Sequence, residues 1–584
     1  MRTGGQILVD HLALNGIGRI FMVPGESFLP ALDALHDTPS IDVVVCRHEG
    51  GAAMMAEATS RLALAGVGGD GTSGAIGVAF VTRGPGLANA MSGLHVAMQA
   101  GTPLLLLVGL TPGGYEGRGA FQELPPEPFA GHAVKWAATV RDPARIPELV
   151  NRAIVTARSG TAGPVILGFP EDVLAASAEV ENAPPTRIAT AGPSWTDPAQ
   201  IAAALERAEW PIAIAGGPGW TPPARRELAL FAERFDLPVV ASFRSQDVID
   251  NRSPQYVGHA GIGMCPKLAA AIGHADLVIA VGTRLDEVTT GRYELLTPPT
   301  PRQRVLVHVH PDPAALGANL QATVPVVSSV AAFAASLDDI TPSVRRGALH
   351  SWSTLRRDLR AAFESWQGFP APPVSTSPVS ASSVSTSSGT VRFESVVRHL
   401  SDVLPPDAII CNGAGNYAAF VHRAFTYKDA GTQLAPVSGS MGYGLPAAIA
   451  AKLASPERDV ICFAGDGCFQ MTSPELATAV QYGLGIVVVI ANNGLLGTIR
   501  AEQERRYPGR RIATSLVNPD FAALARSHGA FGERITRDNE IAGAIARARA
   551  ARRPAILDIA VDPDAIAPGV SLASLAPAPT NNSV

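Results

Sequence analysis

A chain of 584 residues exceeds what one hydrophobic core organises, so three or four domains are expected and a small stapled domain is excluded. With 47% hydrophobic residues, a formal charge of −5 and no basic tract, the composition is that of an ordinary globular protein without a nucleic-acid partner. The five cysteines form no Cys-x-x-Cys pair, and no window reaches the roughly 18 apolar residues of a membrane span, so a reducing, cytoplasmic setting away from membranes is expected.

Short apolar runs followed by helical periodicity recur along the chain, at 20–23, 43–46, 75–81 and 104–108, each ending in glycine, proline or charge. This is the rhythm of βαβ units, and it defines a first domain over 1–181. A polar, proline-bearing stretch follows, and the rhythm resumes over 194–345 with runs at 211–215, 237–242, 275–281 and 304–309. Gly216-Gly217-Pro218-Gly219 lacks the full Gly-x-Gly-x-x-Gly pattern and reads as turns. Serine, threonine and proline dominate 369–390, a linker composition. A third domain spans 391–565, with candidate strands at 408–411, 460–464, 485–491 and 555–559, leaving 566–584 as a C-terminal tail. The fold class is α/β, with three domains that are each a largely parallel sheet flanked by helices.

The third domain carries the chemistry. Gly465-Asp466-Gly467 follows an apolar run, Thr472-Ser473-Pro474-Glu475 has the spacing of a capped helix start, and a second apolar run ends in Asn492-Asn493. Strand, crossover helix and parallel strand bring Asp466 and Asn493 to one edge of the sheet, where α/β ligands bind. Two oxygen side chains there suit a hard cation such as Mg2+, which takes one or two protein oxygens and completes its octahedron with phosphate oxygens and water. The flanking glycines let phosphate approach the backbone.

This ordered combination resembles the thiamine diphosphate signature. Arg47-His48-Glu49-Gly50-Gly51-Ala52, Gly84-Pro85-Gly86, Ala120-Phe121-Gln122-Glu123, Lys135-Trp136 and Met441-Gly442-Tyr443-Gly444-Leu445-Pro446 stand in order and resemble motifs of the acetolactate synthase family over nearly the whole chain. The resemblance implies a pyrimidine-binding first domain, a Rossmann-like middle domain and a diphosphate-binding third domain. It implies thiamine diphosphate and Mg2+, with the metal on the Asp466 carboxylate, the Asn493 side chain and the Leu495 carbonyl. Glu49 corresponds to the glutamate that activates the aminopyrimidine, and Met441 to the apolar residue that props the cofactor bent. Asn416, Gly465, Gly467 and Cys468 fall in the cofactor-binding motifs, and Phe121, Gln122, Lys135 and Trp136 resemble substrate-side residues. A homodimer or homotetramer is implied. Flavin (FAD) is left open, since relatives with and without it share Val281-Gly282-Thr283-Arg284-Leu285-Asp286.

Two departures bear on the substrate. Glu26 follows Pro24-Gly25 where the synthases carry glycine and pyruvate decarboxylases an aspartate; a buried carboxyl near Glu49 is expected to hold a proton and could act as an acid. Glu502 stands at the step of the synthases' substrate-selecting tryptophan. The expected activity is carboligation of a 2-oxo acid such as pyruvate. The alternatives are a decarboxylase or lyase releasing an aldehyde and, more remotely, a non-catalytic cofactor-binding subunit.

Overall fold

The structure is a computed structural model that describes residues 1–68, 76–297, 304–343, 346–368 and 390–575. The expected linker therefore lies, apart from residue 390, outside the described residues, as do residue 75 and the end of the tail from 576.

Three six-stranded sheets, parallel throughout, form the frame. The first contains β1 (Arg19–Met22), β2 (Asp42–Val45), β3 (Gly77–Thr82), β4 (Leu104–Leu110), β5 (Trp136–Thr139) and β6 (Pro164–Pro170), in the order β2-β1-β3-β4-β6-β5. The second contains β7 (Pro211–Ala215), β8 (Val239–Ala241), β9 (Tyr256–His259), β10 (Leu277–Val281), β11 (Val305–His310) and β12 (Val324–Val327), in the order β9-β8-β7-β10-β11-β12. The third contains β13 (Ile409–Asn412), β14 (Gln433–Leu434), β15 (Val460–Gly465), β16 (Ile486–Asn492), β17 (Phe531–Ile535) and β18 (Ala555–Ala560), in the order β14-β13-β15-β16-β18-β17. The first and third sheets thus share one topology, while the middle sheet has the doubly wound order of dinucleotide-binding folds. Central strands such as β4 and β15 are apolar on both faces because helices cover both sides.

One core cluster spans the first and third domains, and each has a second cluster of its own on the other face of its sheet. Helix α1 (Glu49–Leu64) is rich in glycine and alanine, which lets it lie close to α2 (Arg83–Ala100) and α3 (Gly444–Ala454). A Cβ on Gly93 of α2 would overlap the backbone of Ala53 and Met54, so only glycine permits that approach. Tyr443 Oη donates to Glu57 Oε2 at 2.5 Å across this seam. Burial raises the Glu57 carboxyl above its usual range, and the charge of Arg61 and the Tyr443 hydroxyl act in the opposite direction.

Two local expectations are corrected. Thr472 does not cap a helix at Glu475: its hydroxyl donates to the Gly442 carbonyl at 2.7 Å, and the helix Glu475–Gln481 begins one residue after Pro474 without a side-chain cap. A tight turn just ahead uses the same residues, the Glu475 N–H donating to the Thr472 carbonyl. The start of the expected tail is also folded. Ala565–Ala567 pairs with Val570–Ser571, and Ile566 and Leu572 pack on Ala501 of α4 (Gly497–Arg506).

Candidate active site

Asp466 follows the end of β15 and Asn493 the end of β16, whose partners run in register from Val460–Ile486 to Gly465–Ala491. The sequence reasoning thus placed both at one edge. Asp466 is 2% exposed; Oδ1 accepts from the Gly467 N–H at 2.7 Å, and Oδ2 accepts from the Gly494 N–H and from Asn518 Nδ2, both at 2.7 Å. Burial raises its carboxyl above the usual range against these bonds. Asn518, absent from the sequence expectation, also donates to Asn492 Oδ1 at 2.9 Å and so braces the loop. Asn492 Nδ2 is tied to Asp558, whereas Asn493 Oδ1 accepts from the Leu495 N–H within the turn.

Around this edge the third domain gathers its other expected residues. Met441 is partly buried, with its Cε 3.8 Å from where a Cβ on Gly467 would stand. Gly465 precedes the short helix of Asp466, extended at φ −79, and a side chain there would meet the Tyr417 ring. Cys468 Sγ, 4% exposed, accepts from the Gly442 N–H at 3.2 Å and lies 3.3 Å from Tyr417 Oη. Asn416 accepts the Thr498 hydroxyl at 2.6 Å, joining the β13 loop to α4. Leu495 forms an isolated antiparallel bridge with Ser515.

Glu49 opens α1 at the corresponding edge of the first sheet, 9% exposed, and Asn89 of α2 donates to its Oε2 at 2.9 Å. Asn89 is thus the partner that fixes this carboxylate. His48 caps the same helix, its Nδ1 accepting from the Gly50 N–H at 3.0 Å. The backbone N–H groups of Arg47 and His48 donate to Glu475 of the third domain, at 3.2 and 2.9 Å on Oε1. Glu475 is fully buried, its carboxyl raised by that burial, and it also accepts the Thr478 hydroxyl at 2.6 Å. Sequence reasoning read it as a capping residue because its bonding to Arg47 and His48 is non-local.

The substrate-side expectations divide. Gln122 sits at the Glu49 edge, in the left-handed region at φ +62, its carbonyl accepting from the Gly84 N–H at 2.9 Å. Phe121 beside it is 72% exposed. Lys135 and Trp136 lie at the start of β5, the opposite edge of the sheet, where Lys135 Nζ donates to the Ser159 carbonyl and Trp136 stacks under Arg152 at 4.5 Å. They pack the domain and do not line the crevice.

Glu26 is a correction. It is not desolvated: its side chain is 64% exposed and lies 3.8 Å from Arg83. The turn 26–28 points Ser27 and Phe28 inward and Glu26 outward. Glu502 likewise faces solvent, paired with Arg505 and Arg506 at 2.5 and 3.2 Å.

At the carboxyl edge of the middle sheet a cavity of about 480 Å³ opens between β7 and β10, lined among others by Arg61, Gly217, Phe243, Arg284, His310 and Val437. Gly217 and Gly282 both take left-handed φ, and a Cβ on Gly217 would strike the Gly282 carbonyl. The glycine turns read from sequence as punctuation therefore frame a binding-sized hollow.

Comparison with known proteins converges on one assignment. Family models match three stretches: "Thiamine pyrophosphate enzyme, N-terminal TPP binding domain" over 2–128, "central domain" over 199–337 and "C-terminal TPP binding domain" over 413–559. The chain is 31% identical over 570 residues to an acetolactate synthase large subunit of Parasynechococcus marenigrum, covering 96% of this chain and 87% of that protein. It is 31% identical to an acetolactate synthase of Arthrospira platensis, covering 96% and 94%, and 28% identical to the isozyme 3 large subunit of Escherichia coli, covering 94% and 92%. With three matching domains in order and similarity over nearly its full length, the chain belongs to the thiamine diphosphate-dependent enzymes of the acetolactate synthase type.

Proposed function

We propose that this enzyme uses thiamine diphosphate and Mg2+ to join a 2-oxo acid such as pyruvate to a second carbonyl compound with loss of carbon dioxide. The observation that carries carboligation over aldehyde release is similarity over nearly the whole chain to proteins named acetolactate synthase. Within the single chain, the 64% exposed side chain of Glu26 also lacks the burial expected of an acid that protonates a nascent aldehyde.

In this proposal Asp466, Asn493 and the Leu495 carbonyl hold Mg2+, and the backbone around Gly465, Gly467 and Cys468, with Asn416, receives the diphosphate. The residues fit: the set is all oxygen, its carboxylate is buried and raised in pKa, and a cation beside it would offset that burial. Among the described residues no trio of His, Cys, Asp or Glu offers a rival metal site. Bound thiamine diphosphate supplies a nucleophilic carbon and a sink for the electrons released by decarboxylation. Glu49 holds and returns a proton at the aminopyrimidine through Oε1, its other oxygen being fixed by Asn89. Met441 orients the cofactor by contact, and Gln122, set by its left-handed backbone, presents a polar group to substrate.

Glu49 and Asp466 stand at the ends of two different sheets, and no hydrogen bond among the described residues joins them. A homodimer or homotetramer completes the site from two subunits, and Phe121, Met471 and Ile499, 72, 60 and 53% exposed, are apolar groups a second copy would cover. The middle-domain cavity fits FAD, with glycine turns for close backbone approach and Arg284 for phosphate. No described helix is long and apolar enough to cross a membrane.

The test is incubation of the protein, thiamine diphosphate and Mg2+ with a panel of 2-oxo acids and aldehydes, with products identified by mass spectrometry. Acetohydroxy acids or acyloins support the reading, and aldehydes alone sink it.

A further inference from the structure

Three domains meet at Arg244. It follows β8 by three residues, is 5% exposed and holds a left-handed backbone at φ +59. Its guanidinium donates to the Pro436 carbonyl of the third domain. Its own carbonyl accepts from Arg61 Nη2 of α1 at 3.0 Å, while Arg61 Nη1 donates to the Ala435 carbonyl at 2.7 Å. The guanidinium stacks on Phe243 at 4.9 Å. Burial lowers it to about 10, so it remains charged near neutral pH. A buried charge with a strained backbone needs surroundings that hold it in place, and such residues cluster at working sites.

Arg244 stands between two cofactor regions. On one side Arg61, Phe243 and Val437 line the middle-domain cavity. On the other, Pro436 leads in five residues to Met441, and the next N–H, of Gly442, donates to Cys468 in the Gly-Asp-Gly-Cys turn. Every step from the cavity wall to the diphosphate motif is a hydrogen bond, a ring contact or a short stretch of chain.

We infer that Arg244 is a positioning residue that sets the segment 436–441, so that thiamine diphosphate binding depends on it and responds to what fills the middle-domain cavity. The second half rests on the cavity being a dinucleotide site, and the first half does not. The rival is a bracket that merely holds domains together, which would change unfolding temperature and leave cofactor affinity alone.

Calorimetric titration of thiamine diphosphate with Mg2+ into wild type, Arg244→Met and Arg244→Lys separates the two. Loss of one charge-assisted hydrogen bond at the segment is expected to weaken cofactor binding about tenfold in the Met variant. The Lys variant, whose ammonium can still donate to Pro436, should recover most of it. Unchanged affinity in both, with a lowered unfolding midpoint, overturns the inference. Should the Met variant fail to fold, Arg244→Gln, whose shorter neutral side chain also gives up the charge-assisted bond to Pro436, replaces it in the affinity series with the same loss expected; for the coupling, adding FAD to wild type should slow hydrogen exchange at 436–443. Unchanged exchange with flavin bound overturns the coupling. If equilibrium dialysis finds no flavin bound, the dinucleotide reading of the cavity fails, and the affinity series alone judges Arg244.

Discussion

Gly51→Ala should weaken the enzyme by far more than one methyl group suggests. Gly51 lies in the first turn of α1, and a Cβ there would stand 2.8 Å from Cδ and 2.9 Å from Cγ of Glu475, and closer still to Oε1. Those distances are below any real carbon contact, so the Glu475 side chain must move by several tenths of an ångström or more. It has nowhere free to go, being fully buried and bonded to the Arg47 and His48 N–H groups and the Thr478 hydroxyl. Each charge-assisted hydrogen bond lost is worth about 1.5–3 kcal/mol, and two bonds to the Glu49 motif are at risk. Glycine-to-alanine in a helix returns about 1 kcal/mol. The expected net destabilisation is therefore about 2–5 kcal/mol. Urea unfolding measures it, in a cycle with Glu475→Ala. In the Glu475→Ala background the clash is gone, so adding Gly51→Ala should be neutral or mildly stabilising. Equal effects in both backgrounds would show that Glu475 does not constrain Gly51, and would refute the coupling between the first and third domains drawn through it.

Glu49→Gln keeps the shape and the Asn89 contact but cannot hold a proton, so exchange of the cofactor's thiazolium proton should slow about a hundredfold or more; wild-type exchange by NMR would contradict the role. Glu26→Gln should leave the aldehyde-to-ligation product ratio unchanged and shift stability by less than about 1 kcal/mol, since the carboxylate it removes is 64% exposed and Arg83 keeps Glu171 at 3.4 Å; a changed ratio would restore an acid role. Burial pulls His259 and His310 down to about 4 from the ordinary 6.5. The unfolded chain therefore binds more protons between those values, and stability present above pH 6.5 should fall as pH drops toward 4, by up to about 3 kcal/mol for fully buried His259. Unfolding midpoints of wild type and His259→Asn across that range should converge toward pH 4.

The sequence was most legible where the chain is locally periodic. Apolar runs located β7 to the residue and β15, β16 and β18 to within one, because strands covered on both faces are continuous hydrophobic stretches. The adjacency of Asp466 and Asn493 was legible for the same reason, following from strand, crossover and parallel strand. What stayed hidden depends on non-local contact. Glu475 looked like a helix cap, and only the folded chain shows it gripping Arg47 and His48, more than four hundred residues away in sequence. Asn518 lies on a loop with no periodic signal, and its bond to Asp466 is visible only in three dimensions. Glu26 departs from its expected burial because the turn of 26–28 buries Ser27 and Phe28 and leaves the Glu26 side chain 64% exposed, a direction that proximity to the Glu49 motif does not reveal.

The most direct test of the account is to follow the carbon skeleton. Protein, thiamine diphosphate and Mg2+ are incubated with pyruvate labelled with carbon-13 at the carbonyl, and the product is read by carbon NMR. Carboligation places two labelled carbons side by side, so the account predicts product signals split by one-bond carbon–carbon coupling, absent with Asp466→Ala. Unsplit acetaldehyde as the only labelled product, formed by wild type at any pyruvate concentration, would contradict it.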